Sequence, residues 1–484
     1  MNLASLVGCF LLLVGCVEIT MSLSAEARLS LQQSHKGIDL ETRRQRLRNL
    51  GGAPLENNDT LPEFTVLNSP VDATNVVNEA SNLDTASIPA INQREGVDVY
   101  LYNGDIILSE KQLAELEMEN SATKTPARRK RQVAIWAGKW PDNIVYYYFD
   151  ASLSAKFRAL VKLALKKISE KTCIVFKEDA TATNRIRVFS GSGCYSALGM
   201  NGGEQDVSLG GWCGDIGVIA HEFMHSLGIR HMQNRPDRDD YLIVDLTIVK
   251  PDYLGQFTKA SADGTMNYTP YDYGSVMHYA ANLWTTNGKN SLVPRQARYP
   301  YTLGTRILSF FDFKMINDHF KCNDRCGADA IKCVNGGVPN PNNCAVCICP
   351  EGYGGPGCGQ RPAGCGGGLN ATAAWQTKTF SFGDSTSTTL RDDYMRCVHW
   401  IRAPAGKRPQ VKVTAFTNVA CEVGCRRNAI EPKMFTDKRV VSPRMCCGGH
   451  LNQALTTQLN VMPIISYNRQ GMSSFTFQYR FVSP

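Results

Sequence analysis

From Val17 to Thr172 the chain contains no cysteine, although it has 18 in all. That gap excludes a disulfide-built framework from the N-terminal part and confines one to the remainder. Setting aside Cys9 and Cys16 leaves 16, an even number concentrated after residue 172, which is the usage of exported proteins. Beyond the first residues no apolar run approaches the ~20 residues of a membrane helix, so a membrane span is not expected. A strong excess of charge is also missing. The formal net charge of +8 is partly owed to Arg43-Arg44 and Arg128-Arg129-Lys130-Arg131, and solvated surface explains it better than a nucleic-acid partner.

With 484 residues the chain has material for about three domains. Its start, Ala4 to Val17, is apolar around Leu11-Leu12-Leu13-Val14 and is followed by small residues near Ser22-Leu23-Ser24. This predicts a secretory signal peptide over 1–24 and an extracellular, secreted product. The basic residue usual before such a core is absent, and Leu13-Val14-Gly15-Cys16 resembles a bacterial lipidation box, so an uncleaved or lipidated anchor is the alternative. Glycosylation sequons stand at Asn58, Asn267 and Asn370.

The most informative stretch is His221-Glu222-Phe223-Met224-His225-Ser226-Leu227-Gly228-Ile229-Arg230-His231. Residues four apart share a helix face, so His221 and His225 can offer imidazoles to one ion with Glu222 beside it. Gly228 can take the positive φ that ends the helix and returns the chain, bringing His231 in as a third ligand. Three protein ligands leave Zn2+ an open position for water, which marks a catalytic site.

Downstream, Tyr271-Asp272-Tyr273-Gly274-Ser275-Val276-Met277-His278-Tyr279 follows where a Met-turn is expected, and the pairing defines the metzincins. Ser275 to Tyr279, Asp237-Arg238-Asp239, and Gly304, Arg306, Leu308, Ser309 and Asp312 resemble the astacin family specifically. The resemblance covers Gln132 to Cys322. It implies an α+β fold, a two-lobed peptidase domain over 132–322 binding one Zn2+, and endopeptidase activity on extracellular proteins. It further implies Glu222 as the base that takes a proton from the attacking water and Met277 as an apolar floor. Tyr279 is then a displaceable zinc ligand whose phenol helps hold the oxyanion. The implied disulfides are Cys173 with Cys322 and Cys194 with Cys213, and the strand Arg185 to Ser190 would form the sheet edge beside the cleft. One position departs from the pattern. Met232 stands where astacins carry a glutamate that anchors the new N-terminal amine after activation, which alters how the mature N-terminus docks.

Residues 25–131 are polar and uneven. A charged helical stretch, roughly Ala25 to Leu50, precedes an Asn/Asp/Thr/Ser-rich region with little periodic apolar pattern, and no independent core is expected. The segment closes on Arg128-Arg129-Lys130-Arg131, so a furin-like activating protease is expected to cut after Arg131. Within it, Tyr102-Asn103-Gly104-Asp105-Ile106 resembles the astacin propeptide motif, which implies that Asp105 reaches the zinc and keeps a zymogen inactive. A carboxylate can take the open zinc position on general chemical grounds.

Cys326, Cys333, Cys344, Cys347, Cys349 and Cys358, with Gly352, Tyr353 and Gly357, resemble an EGF-like module over 323–359. The family pattern implies Cys326 with Cys344, Cys333 with Cys347, and Cys349 with Cys358. No acidic calcium-binding lead-in precedes Cys326. From 365 to 484, Cys365-Gly366-Gly367-Gly368-Leu369 and Cys397 to Pro404 resemble a CUB domain, an all-β sandwich. Cys365 with Cys397 is its implied first pair, and pairing among Cys421, Cys425, Cys446 and Cys447 stays open. Protease, EGF and CUB in this order resemble nematode astacins, which suggests cuticle or matrix substrates. The competing reading is a secreted EGF/CUB binding protein with a vestigial protease domain, although Glu222 and all three histidines are present.

Overall fold

The computed structural model describes residues 23–50, 87–121, 133–134, 137–260 and 265–484. The leader before Leu23, Asn58, the basic run ending at Arg131, and Gln132 lie outside the described residues. The stretch expected as one charged helix is two, α1 (Ala25–Ser34) and α2 (Leu40–Asn49). Lys36 and Gly37 break it with φ of 54° and 81°, a left-handed conformation that no helix continues through. Next come α3 (Ile88–Glu95), β1 (Ile106–Ile107) and α4 (Glu110–Ser121).

These N-terminal elements have no core of their own. Ala27, Leu31, Leu40, Val97 and Leu101 join Phe189 and Tyr195 in one apolar cluster, and Leu47, Ile106, Leu113 and Leu116 join Ala134, Ala137 and Leu198 in another. Arg43 and Arg46 of α2 pair with Glu110 of α4, and Arg46 also with Glu117, which holds the two helices against each other.

The central sheet contains β3 (Ile144–Phe149), β4 (Val175–Glu178), β5 (Arg185–Phe189), β6 (Cys194–Ala197) and β7 (Glu204–Leu209), together with β1, in the order β1-β6-β7-β5-β3-β4. Here one expectation is corrected. The strand Arg185–Phe189 is interior, parallel to β3 on one side and β7 on the other. Among the strands of 132–322 the outermost one on that side is instead β6, which runs antiparallel to β7 and carries β1 of the N-terminal segment on its outer side. Short ladders join β2 (Val133–Ala134) to β9 (Thr265–Met266) and β8 (Leu242–Val244) to β10 (Leu292–Pro294).

Helix α5 (Ala155–Ser169) is capped by Ser154 and buries Leu160, Val161, Ala164, Leu165 and Ile168 along one face. It packs on α6 (Ile216–Ser226), the helix carrying the His-Glu motif, which is buried throughout. Helix α7 (Phe310–His319) opens with a capping box between Ser309 and Asp312.

The chain then enters a small module with one hairpin, β11 (Val338–Asn340) and β12 (Asn343–Ile348). The last part is an all-β sandwich of two four-stranded sheets. One contains β13 (Gly368–Asn370), β15 (Leu390–Arg402), β17 (Asn428–Pro432) and β19 (Val461–Gln470). The other contains β14 (Gln376–Gly383), β16 (Arg408–Thr417), β18 (Leu455–Thr456) and β20 (Met472–Val482). Apolar residues from the two sheets, including Ile401, Val411, Ile464, Phe475 and Phe477, meet between them.

Disulfides join Cys173–Cys322 and Cys194–Cys213 around the central sheet, and Cys326–Cys344, Cys333–Cys347 and Cys349–Cys358 in the small module. Those of the sandwich are Cys365–Cys397, Cys421–Cys447 and Cys425–Cys446, which resolves the pairing left open by the sequence.

Candidate active site

Helix α6 ends in a Schellman turn. Ile229 N–H donates to Met224 O and Gly228 N–H to His225 O, with Gly228 at φ 87°. The same turn sends the chain back and aims its own Ile229 carbonyl at His225 Nδ1, 2.7 Å away. A carbonyl only accepts, so Nδ1 carries the proton and His225 Nε2 keeps a free lone pair. His221 is fixed the same way, its Nδ1 2.9 Å from Val276 O in the loop after Tyr273. That loop is tied down by Asp312 of α7, which accepts from Ser275 Oγ at 2.5 Å and Val276 N–H at 3.0 Å. Met277 is fully buried, and its carbonyl takes the Met232 N–H at 2.9 Å, setting His231 on the far side of the site.

The three Nε2 atoms converge to 3.0 Å for His221–His225, 3.2 Å for His221–His231 and 3.2 Å for His225–His231. Asp105 Oδ2 lies 3.1 Å from His231 Nε2 and 3.3 Å from His221 Nε2. Among the described residues these four form the only group of histidine, cysteine and carboxylate side chains able to hold an ion. A tetrahedral zinc with ligand bonds near 2.0–2.1 Å spaces its ligand atoms by about 3.4 Å, so this donor set fits Zn2+. Burial lowers the pKa of His225 and takes that of His231 down to about 3, which keeps both rings neutral and ready to ligate.

Asp105 is delivered by a tight turn. Asn103 and Gly104 have φ of 48° and 79°, and a Cβ on Gly104 would come within 2.8 Å of the Trp284 ring. Asp105 O then accepts from Ser196 N–H at 3.0 Å as β1 runs parallel to β6. Asn92 of α3, buried, accepts from Cys194 N–H at 2.7 Å and donates to Gly104 O at 2.9 Å, bridging the turn to the edge strand. Neither Asn92 nor Trp284 stands out in the sequence. The adjacent Asn103-Gly104 pair is the available signal, since it marks a left-handed turn that needs a close wall.

Glu222 has both carboxylate oxygens buried without a hydrogen-bond partner, and so does the Tyr279 hydroxyl. Burial, and then the neighbouring Asp105, push the Glu222 carboxyl well above its ordinary range. The Tyr279 ring lies 4.3 Å from that of His231, and burial keeps its phenol protonated. A small cavity of about 30 Å³ adjoins His221, lined by Val218, Tyr279, Gly304 and Thr305, with Ile88 of the N-terminal segment against it.

This chain has counterparts among known proteins. The peptidase family Astacin matches residues 132–321. Zinc metalloproteinase nas-32 of Caenorhabditis elegans is 39% identical over 92% of this chain and 68% of its own length. The chain belongs to the astacin family. Zinc metalloproteinase nas-31 of the same organism is 38% identical over 81% of this chain, which spans 65% of that protein. Among solved structures, high choriolytic enzyme 1, a hatching enzyme zinc-protease of the medaka Oryzias latipes, is 32% identical over 38% of this chain and 92% of its own, with a TM-score of 0.35. As an astacin-family metallopeptidase the chain takes zinc, and its peptidase domain is followed by a disulfide-rich part and a β-sandwich.

The remaining sites are placed more sparsely. Asn370 is exposed on β13, whereas Asn267 is half-buried and its Nδ2 donates to Asp237 Oδ1 at 3.3 Å. Among the described residues no helix is long and apolar enough to cross a membrane.

Proposed function

We propose that this astacin is made as a latent, secreted zinc endopeptidase, activated by cleavage after Arg131 and acting on extracellular proteins. The observation that carries the reading is Asp105, a buried carboxylate of the N-terminal segment among three histidine Nε2 atoms, beside a Glu222 with both oxygens unpartnered. A furin-like protease suits the basic run, and cuticle or matrix proteins are the substrate class that the module order suggests. The EGF-like and CUB assignments of the last two parts belong to the same proposal.

When bound, zinc supplies Lewis acidity and lowers the pKa of a coordinated water to about 7. His221, His225 and His231 hold it as neutral imidazoles, two of them oriented by backbone carbonyls. In the latent form burial and the nearby Asp105 both raise the Glu222 pKa. Departure of Asp105 removes the second of these and opens the place for water, so Glu222 can take a proton from that water and return it to the leaving amine. Tyr279, protonated and unpaired, is placed to donate to oxygen charge developing near His231. An extended substrate can pair with β6 once β1 has left that edge.

The test is cleavage of a peptide library by purified secreted protein, before and after cutting at Arg131. Activity appearing only after the cut supports the reading. Zinc-loaded, correctly cut protein that cleaves nothing would leave the EGF/CUB binding protein as the better account.

A further inference from the structure

The C-terminal sandwich does not hang off the peptidase. Asp215 caps α6, its Oδ1 accepting from Gly217 N–H at 2.7 Å and Val218 N–H at 3.3 Å. Its Oδ2 accepts from Arg306 Nη1 at 2.9 Å and also from Nη1 of Arg469, which comes from β19 of the sandwich, 254 residues along the chain. All three side chains are buried. Arg469 is in turn aimed by its own domain, with Nε donating to Arg391 O at 2.5 Å and the guanidinium over the Tyr394 ring. Burial alone would raise the Asp215 pKa, but the two guanidinium groups outweigh it and hold this carboxyl well below the usual range. The cap is therefore a full anion, which serves a helix N-terminus better than a neutral group.

A second contact reaches the lining of the small cavity beside His221. Arg426 Nε, from the sandwich, donates to Gly304 O at 3.0 Å, and Arg444 Nη1 reaches Thr305 Oγ1 at 2.5 Å. Gly304 and Thr305 line that cavity together with Gly217 and Val218 of the capped turn, and Gly217 packs so closely on Arg306 that a Cβ there would come within 2.2 Å of the Arg306 carbonyl oxygen. The 304–305 lining of the cavity, and the start of the helix bearing His221 and Glu222, are thus gripped by arginines of a domain that touches no metal ligand in these contacts.

We propose that the sandwich is a positioning part of the peptidase, Arg469 holding the capped start of α6 and Arg426 and Arg444 holding the 304–305 wall against which a substrate side chain would rest. This rests on the endopeptidase reading above. The sandwich then shapes which residue is accepted next to the scissile bond, besides anything it binds on its outer surface.

The experiment uses the full chain, secreted and cut at Arg131, as wild type, Arg469→Met, Arg469→Lys and Arg426→Met. Three quantities are read: kcat and KM on peptides that differ only in the residue after the scissile bond, the rate of zinc loss to a chelator, and Tm. Arg469→Met should lower kcat by roughly tenfold, short of the roughly 100-fold that a 1 Å misplacement can cost, and should speed zinc loss, with Arg469→Lys recovering part of both. Arg426→Met should change the ranking of the peptides through KM. A lower Tm with unaltered kcat, peptide ranking and zinc loss in Arg469→Met and Arg426→Met would overturn the proposal and leave the contacts as docking alone. If Arg469→Met is not secreted, the same outcomes are read from Arg469→Lys and Arg426→Met. Wild type that cleaves no peptide would fail the endopeptidase reading instead, a result distinct from active variants that match wild type.

Discussion

Asp105 Oδ2 sits 3.1 Å from His231 Nε2, although 126 residues separate the two. The carboxylate fills the corner of the histidine cluster that water needs, and it is held there by the Asn103-Gly104 turn, the Asn92 bridge and the β1–β6 pairing. A tethered ligand acts at high effective concentration and loses that advantage once cut free. Asp105→Ala, combined with replacement of Arg131 so that normal processing cannot occur, should therefore give an uncut precursor with measurable peptidase activity. Peptide turnover checks it. A well-secreted, zinc-loaded double variant as silent as the Arg131 single variant means that occupation of the cleft by the rest of the segment is sufficient for latency.

Ligand and base are separable. Glu222→Gln keeps shape and hydrogen-bonding size at a buried site and removes the proton acceptor, so zinc content should stay near one per chain while kcat falls by roughly 100- to 10,000-fold. His225→Ala removes an Nε2 lone pair that the Ile229 carbonyl orients, and should lose metal as well as activity. Zinc stoichiometry alongside peptide turnover on both proteins distinguishes the two roles.

The convergence of the three histidines was legible because it is encoded locally. Helical spacing puts His221 and His225 on one face, and a glycine able to take φ of 87° returns His231. The β-sandwich was legible from period-two strands such as Phe475 to Tyr479, whose alternate residues are buried, whereas the alternation read over Val411 to Phe416 is interrupted by a register shift after Val413. What stayed hidden depends on contacts distant in sequence. Whether Arg185–Phe189 or Cys194–Ala197 forms the sheet edge is decided by strand order, which alternation within one strand does not specify. Asn92 and Arg469 gave no signal for the same reason, since each acts on a residue more than ten positions away through one side chain.

The mature N-terminus should carry no charge. Val133 and Ala134 are fully buried, with Ala134 N–H donating to Gly228 O at 3.2 Å, and the side chain at 232 is a buried methionine with no carboxylate to offer. Cleavage after Arg131 exposes Gln132, and a free ammonium placed beside those residues would suffer desolvation. Cyclisation to pyroglutamate removes that cost. N-terminal mass spectrometry of the processed protein should find the loss of ammonia, about 17 Da, that amide condensation produces. A free glutamine amine, or a start several residues away, would count against it.

Docking of the N-terminal segment should weaken in mild acid through His35. This side chain, 2% exposed, lies at the end of α1 near Arg43, and burial followed by that guanidinium lowers its pKa from 6.5 to about 3. The docked segment therefore keeps His35 neutral, whereas a released segment takes up a proton once the pH drops below 6.5. The contribution to docking is fully present above that value and declines as pH falls toward about 3. At pH 5 the released form should gain roughly 30-fold from this one group. Hydrogen exchange of the α1 and α2 amides, corrected for intrinsic rates, should show wild type losing protection between pH 7 and pH 5 by about that factor more than His35→Gln. The glutamine variant carries no titrating ring, so the general acid response of the carboxylates cancels in the comparison. Equal losses in the two proteins would mean that His35 is not neutral in the docked state, or that α1 opens without the segment leaving.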